Sequence, residues 1–340
     1  MKKIFFIALV LILASVYFAQ GTELVYAHSP IRYVLKNYFS IKNVSTREVV
    51  DLEIKVLVGR DDSLHQFLTD ITITPEPSTW ETDKLGNIYA VVKVTSLPGG
   101  KEQQVVIAKS GINCAIAFDE SISAIKADLK DFLKTAENKQ YLLASTGIES
   151  DDALFIADVK ELDTSLPVVE RAYKIFSYVN TGMTYDMDRQ YANTTALSGR
   201  KTGRGVCTEF SGVFVALCRA NGIPARIVSG YWPQKDFTAG VETTFESSAR
   251  HSWAEFYVPT VGWVPAEPSS LLTENNRRVV SKDDFAAISK TSRHYVYSYG
   301  LEKEKIGSIA VSYSYLGEKT NSNLVNVAMT KESITTSAYE

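Results

Sequence analysis

Cysteine, histidine and methionine are scarce in this chain of 340 residues, which has three, four and four of them respectively. Three cysteines, Cys114, Cys207 and Cys218, cannot all pair within one chain, so at least one thiol stays free. The formal charge of −3 and the lack of a long basic run leave no electrostatic footprint for nucleic acid. Neither an EF-hand loop nor a phosphate-binding glycine loop is present, so neither calcium nor nucleotide is implied. His28 and His65 stand far apart without a cysteine or acidic cluster at ligand spacing, which implies no metal and reads as two surface histidines. No internal repeat is seen, and no cofactor is implied.

A composition of 45% hydrophobic and 22% charged residues is that of a folded protein with a sizeable core. Residues 1–20 place Lys2 and Lys3 before an apolar run from Ile4 to Ala19, the layout of a secretory signal. The run is short for a membrane-spanning helix, and Tyr17 is large for a cleavage site ending at Ala19. The expected location is therefore extracytoplasmic: secreted if the segment is cleaved, membrane-attached through it if not.

Residues 21–120 carry strand patterning. In DLEIKVLV, Leu52, Ile54, Val56 and Val58 recur at every second position, and ITIT, IYAVVKV, QVVIA and CAIAF are similar short runs between turn signals. Strands at this spacing predict a β-sandwich. Beyond about residue 120 the period changes. Leu166, Val169, Ala172, Tyr173, Phe176 and Val179 recur at helical intervals, with Ser165 placed to cap and Pro167 in the first turn. An earlier helix is expected near residues 151–162 with Ser150 as its cap. RHYVYSYG and IGSIAVSYSYLG read as strands, residues 326–340 as a polar tail, and the chain as α+β with its second domain over 121–325.

Gly203 and Gly205 lead flexibly into Cys207, after which Phe210, Val213, Phe214 and Leu217 mark a helical apolar face ending at Asn221-Gly222 and Pro224. A cysteine at a helix N-terminus meets unpaired N–H groups and the positive end of the dipole, which favour the nucleophilic thiolate. Cys218 lies about 16 Å further along such a helix at 1.5 Å per residue, too far for a disulfide, and reads with Cys114 as core packing. A thiolate nucleophile needs a proton-carrying partner, for which histidine is the suited side chain. His251 opens the alternating strand HSWAEFYV, and Glu267 on the next strand, GWVPAEPS, stands 16 residues later across a plausible hairpin. Glu255, on the same strand face as His251, is the alternative carboxylate. Glu209 and Arg226 are expected to pair, and Trp253 and Trp263 read as packing before groove lining.

GVCTEFSGVFVALCRANGIPARIVSGY followed by HSWAEFYVPTVGWVPAEPS resembles the core of the transglutaminase-like superfamily, and TGMTYDM resembles the segment that precedes its cysteine helix. The resemblance implies a papain-like transglutaminase core preceded by a β-sandwich, and a catalytic Cys207–His251–Glu267 set in which glutamate stands where the family normally has aspartate. It implies attack on a carboxamide or peptide carbonyl of a protein substrate through a thioester. Water as acceptor gives hydrolysis, modestly preferred here because no calcium switch or amine-guiding pocket is evident; an amine acceptor gives cross-linking. The competing expectation is an exported binding or scaffold protein that keeps the fold without turnover.

Overall fold

Alternation of apolar and polar residues becomes two packed sheets in the computed structural model. It describes residues 25–339 except 61–63, 127, 234–236, 245–249, 271–272, 275–276, 279–283, 289–293, 301–308, 316–317 and 321–322. The segment read as a signal or anchor, 1–20, lies outside the described residues. The first six strands are β1 (Val25–Asn43), β2 (Val49–Gly59), β3 (Gln66–Thr74), β4 (Thr79–Thr82), β5 (Ile88–Leu97) and β6 (Glu102–Phe118). Leu52, Ile54, Val56 and Val58 of β2 are fully buried and meet Phe39 and Ile41 of β1 and Val105 and Ile107 of β6 across the sandwich. Because strand side chains alternate faces, this one pattern fixes which side of β2 is core.

QVVIA and CAIAF are one strand. Gly111 between them makes no turn: a Cβ there would lie 2.5 Å from the Phe67 carbonyl oxygen, so glycine serves the close approach of β3.

The helical period yields α1 (Ala153–Val159), α2 (Val168–Gly182), α3 (Ala196–Thr202) and α4 (Cys207–Ala220). The caps differ from expectation. Asp152 caps α1 by accepting from the Leu154 N–H at 2.9 Å, and α2 begins after Pro167 without a side-chain cap. Asp and Ser compete for the same role, and the charged acceptor sits nearer the helix start here. From α2, the residues Val168, Val169, Ala172, Ile175, Phe176 and Val179 are buried against α4 and the sheet behind it.

That second sheet contains β7 (Ala225–Tyr231), β8 (Arg250–Val258), β9 (Gly262–Ala266) and β10 (Tyr295–Gly300) in the order β9-β8-β7-β10. The chain then returns to the sandwich as β11 (Ile309–Tyr315), β12 (Glu318–Thr320) and β13 (Val325–Ala338). The sandwich sheets run β12-β11-β2-β5-β4 and β13-β1-β6, with β3 also paired to β6. The residues expected as a polar tail are thus largely strand β13. Most of its residues are polar, yet Glu332, Ser333, Ile334 and Thr336 are buried where it pairs with β1, so composition alone conceals it.

Sandwich and core meet through Tyr33, Leu35, Leu57, Tyr231, Tyr295, Tyr297 and Ile334. Lys109 is buried in this seam with its ammonium 3.7 Å from the Tyr297 ring centre. Burial pushes it down to about 7, against the opposing pull of Glu332. No helix among the described residues is long and apolar enough to cross a membrane.

Candidate active site

Cys207 is the first residue of α4, with Val206 at the cap position. Glu209, one turn in, turns back so that its Oε2 accepts from the Val206 N–H at 3.0 Å and its Oε1 from the Thr194 N–H at 2.7 Å. The expected Glu209–Arg226 pair does not form. Glu209 is consumed by the helix start, and Gly205 is required beside it because a Cβ would lie 2.3 Å from Glu209 Cβ.

Strand β8 carries His251 to the same place. Ser211, one helical turn after Cys207, donates to the carbonyl of Ser252 at 3.0 Å, which pins α4 to the residue beside His251. Across the sheet His251 is paired with Gly230, where a Cβ would lie 2.1 Å from the Tyr295 carbonyl oxygen. The hairpin expected through Pro259 and Gly262 is present, with Val258 opposite Gly262 and Thr260 and Gly262 both at positive φ. It delivers Glu267, just beyond β9, to the open side of the His251 ring.

The imidazole lies beside the Cys207 side chain, close enough for the sulfur to act on its charge, and through Nε2 it is hydrogen-bonded to Glu267 Oε2 at 2.5 Å. Burial opposes its charge, but Glu267 and Cys207 together raise its pKa to about 10. Burial likewise opposes charge on Glu267, yet His251 and His294 hold it ionised and well below the usual carboxylate range. All three sequence-predicted residues are therefore adjacent and buried. Glu255, the alternative carboxylate, is elsewhere: Arg226 holds it at 2.5 Å, and the guanidinium also lies over the rings of Trp263 and Tyr299.

Four further neighbours complete the site, and sequence patterns single out none of them for it. His294 donates from Nε2 to Glu267 Oε2 at 3.3 Å. Ser269 donates to Glu267 Oε1 from its N–H at 3.1 Å and its hydroxyl at 2.5 Å. Tyr185 lies beside Cys207; burial, then the nearby Cys207, raise its pKa. Trp232 covers the two histidines, its ring centre 4.6 Å from His251 and 5.3 Å from His294. The one local signal for His294 is that it precedes a strand as His251 opens one, in a chain with four histidines.

Trp253 is buried and packs edge-on to His294, and Trp263 packs among Tyr141, Tyr257 and Phe132. His65 is buried at 1% exposure and not on the surface, because β3 brings it under the start of β10. Cys114 and Cys218 are both buried. His251, Glu267 and His294 offer donor atoms within 4.8 Å of one another. In this structure the three groups are hydrogen-bonded to one another through Glu267 Oε2.

A cysteine helix laid against an antiparallel sheet that carries histidine and a carboxylate defines a papain-like α+β core. Within it, residues 158–268 match the model of the transglutaminase-like superfamily, and the chain carries a domain of that superfamily. A crystal structure of a candidate cysteine protease from Cytophaga hutchinsonii aligns with 92% of this chain and 100% of its own at 15% identity and a TM-score of 0.58, a likeness of fold. A protein-glutamine gamma-glutamyltransferase from Pseudomonas aeruginosa is 34% identical over 68 residues, 20% of this chain and 10% of that protein. An uncharacterised protein, YebA, from Bacillus subtilis is 39% identical over 87 residues, 24% of this chain and 12% of that protein. The chain thus spans about a tenth of the length of these two curated relatives.

Proposed function

We propose that the protein is an extracytoplasmic cysteine enzyme that cleaves peptide or glutaminyl carboxamides through a thioester acyl-enzyme. The observation that carries this reading is the single imidazole held between the Cys207 side chain and the Glu267 carboxylate. In the reaction the Cys207 sulfur attacks the carbonyl carbon and the C=O π pair moves to oxygen. As the C–N bond breaks, the imidazolium of His251 gives its proton to the departing amine or ammonia. Glu267 orients the ring and stabilises its charged form without taking the proton. An acceptor, water or a primary amine, then gives its proton to His251 and releases the acyl group from sulfur.

Water is the preferred acceptor, since it is the acceptor at highest concentration and no amine-guiding element is evident in the sequence. The name of the Pseudomonas relative favours glutaminyl substrates and keeps amine transfer as the contrasting outcome. Export rests on Lys2, Lys3 and the apolar run that follows. The test is to incubate the protein with a glutaminyl peptide and a labelled primary amine. Ammonia or peptide hydrolysis products in excess of incorporated amine support hydrolysis; incorporation that outruns them makes the protein a transferase. No acyl adduct on Cys207 with any carboxamide or peptide leaves a binding protein.

A further inference from the structure

Glu267 receives four hydrogen bonds from the described residues, and their distribution is unequal in origin. Two come from Ser269, two residues away, and both reach Oε1. The other two reach Oε2 and come from His251 on β8 and His294 at the start of β10. A carboxylate only accepts, so both ring nitrogens facing it carry protons. His294 is buried, its ring stacked at 13° on Trp232 and edge-on to Trp253 at 4.6 Å, and among the described residues its Nδ1 meets no hydrogen-bond partner. A buried imidazole that donates from Nε2 to a carboxylate and has no acceptor at Nδ1 is favoured as the neutral tautomer protonated at Nε2.

A glutamate has one more side-chain torsion than an aspartate, and that freedom must be removed for its oxygen to meet the His251 ring in one geometry. Ser269 fixes one oxygen, which leaves the carboxylate able to pivot about it. We propose that His294 is a positioning residue for the reaction proposed above: as a neutral Nε2–H donor clamped between Trp232 and Trp253, it stops that pivot and holds Glu267 Oε2 on His251. The inference rests on the catalytic reading of Cys207 and His251. It also extends the working site beyond residues 158–268, since His294 lies outside the stretch that matches the family model.

Burial keeps His294 neutral, against the pull of Glu267. The groups that face His251 are Glu267, Cys207 and His294; Tyr185 lies beside Cys207, and His65 beside His294. With the clamp gone, Glu267 holds the charged His251 ring less well, so the imidazolium is lost at lower pH and Cys207 is left with a weaker proton acceptor.

The experiment is iodoacetamide alkylation of Cys207 from pH 4.5 to 8, with the site of labelling read by mass spectrometry. His294→Phe keeps a ring between the tryptophans and removes the donor; it should slow alkylation at pH 5 about tenfold and move the acid limb up about one pH unit. His294→Gln, which keeps an N–H donor, should recover most of the loss. A His294→Phe profile that overlays the wild type overturns the proposal, as does a Gln variant as slow as Phe. Failure of the underlying reading is separately visible, because wild-type Cys207 would then label no faster than Cys114 and Cys218. Histidine ¹H–¹⁵N spectra of the wild type test the same point without a variant. His294 should remain neutral with its proton on Nε2 from pH 5 to 9, and a proton on Nδ1 alone overturns the proposal.

Discussion

The two ends of α4 carry the same side chain in opposite circumstances. Cys207 at the N-terminus lies against His251, whose ring is charged through Glu267. Cys218, on the last turn, is wholly buried, and desolvation drives its pKa up in spite of Arg171 and Arg219 nearby. Both guanidinium groups are engaged by oxygens: Arg171 by Asn221 at 2.7 Å, and Arg219 by the carbonyls of Ala225 and Leu143 at 3.1 and 2.9 Å. A positive charge near a thiol is therefore insufficient. What distinguishes Cys207 is a partner that can accept and return a proton, set in place by a different strand.

The largest expected break in this contrast is Cys207→Ala, which should abolish acyl-enzyme formation, a fall of about 10⁴-fold or more by the precedent of single-nucleophile removals. Circular dichroism and thermal melting should show the fold intact. Glu267→Gln keeps the size of the side chain but weakens the hold on the imidazolium, and should lower turnover about 10³-fold with a smaller change in KM. Equal kinetics for the Gln variant would mean that Glu267 packs the ring without serving it. Glu255→Gln provides the control on the neighbouring strand. It leaves Arg226 buried without its carboxylate and should cost about 3 kcal/mol of stability in denaturant titration, with Cys207 labelling within about twofold of wild type.

Cys218→Ala should cost about 1–2 kcal/mol through the small cavity it leaves, and leave turnover unchanged. A change in turnover there would erase the difference between the two ends of the helix. The remaining contrast is in pH dependence. The pKa of His251 is raised from 6.5 to about 10 in the folded state, so its contribution to stability is complete below pH 6.5 and is lost as pH rises through about 10. Stability measured from pH 6.5 to 10 should therefore decline, and His251→Ala should flatten that decline.

Much of this site is legible in the amino-acid sequence. The glycines before Cys207, the apolar face of α4 and the alternation of HSWAEFYV are local patterns, and local patterns specify helix and strand. Glu267 stands out through the short hairpin that joins it to His251, a connection too brief to permit many arrangements. What stays hidden depends on distant pairing. Arg226 could meet Glu209 or Glu255, and the choice is made by the register of β7 against β8, which sets Arg226 opposite Glu255. His65 and β13 differ from expectation because a polar or isolated residue shows its burial only when its neighbours in the sheet are known. His294 is concealed for the same reason: it lies 27 residues from Glu267 and leads into β10, the strand at the opposite edge of the sheet from β9.

By itself the sequence determined the helix that begins at the thiol, the strand that carries His251, and which histidine and carboxylate share a hairpin. These are matters of side-chain period and short connections, and they act over a few residues. Only the tertiary structure decided that the imidazole of His251 is flanked by both Cys207 and Glu267, that His294 joins the same carboxylate oxygen, and that Cys218 is closed off. Charge on a buried side chain depends on what is packed within hydrogen-bonding distance of it, and that packing is set by strand register and helix placement across the whole domain.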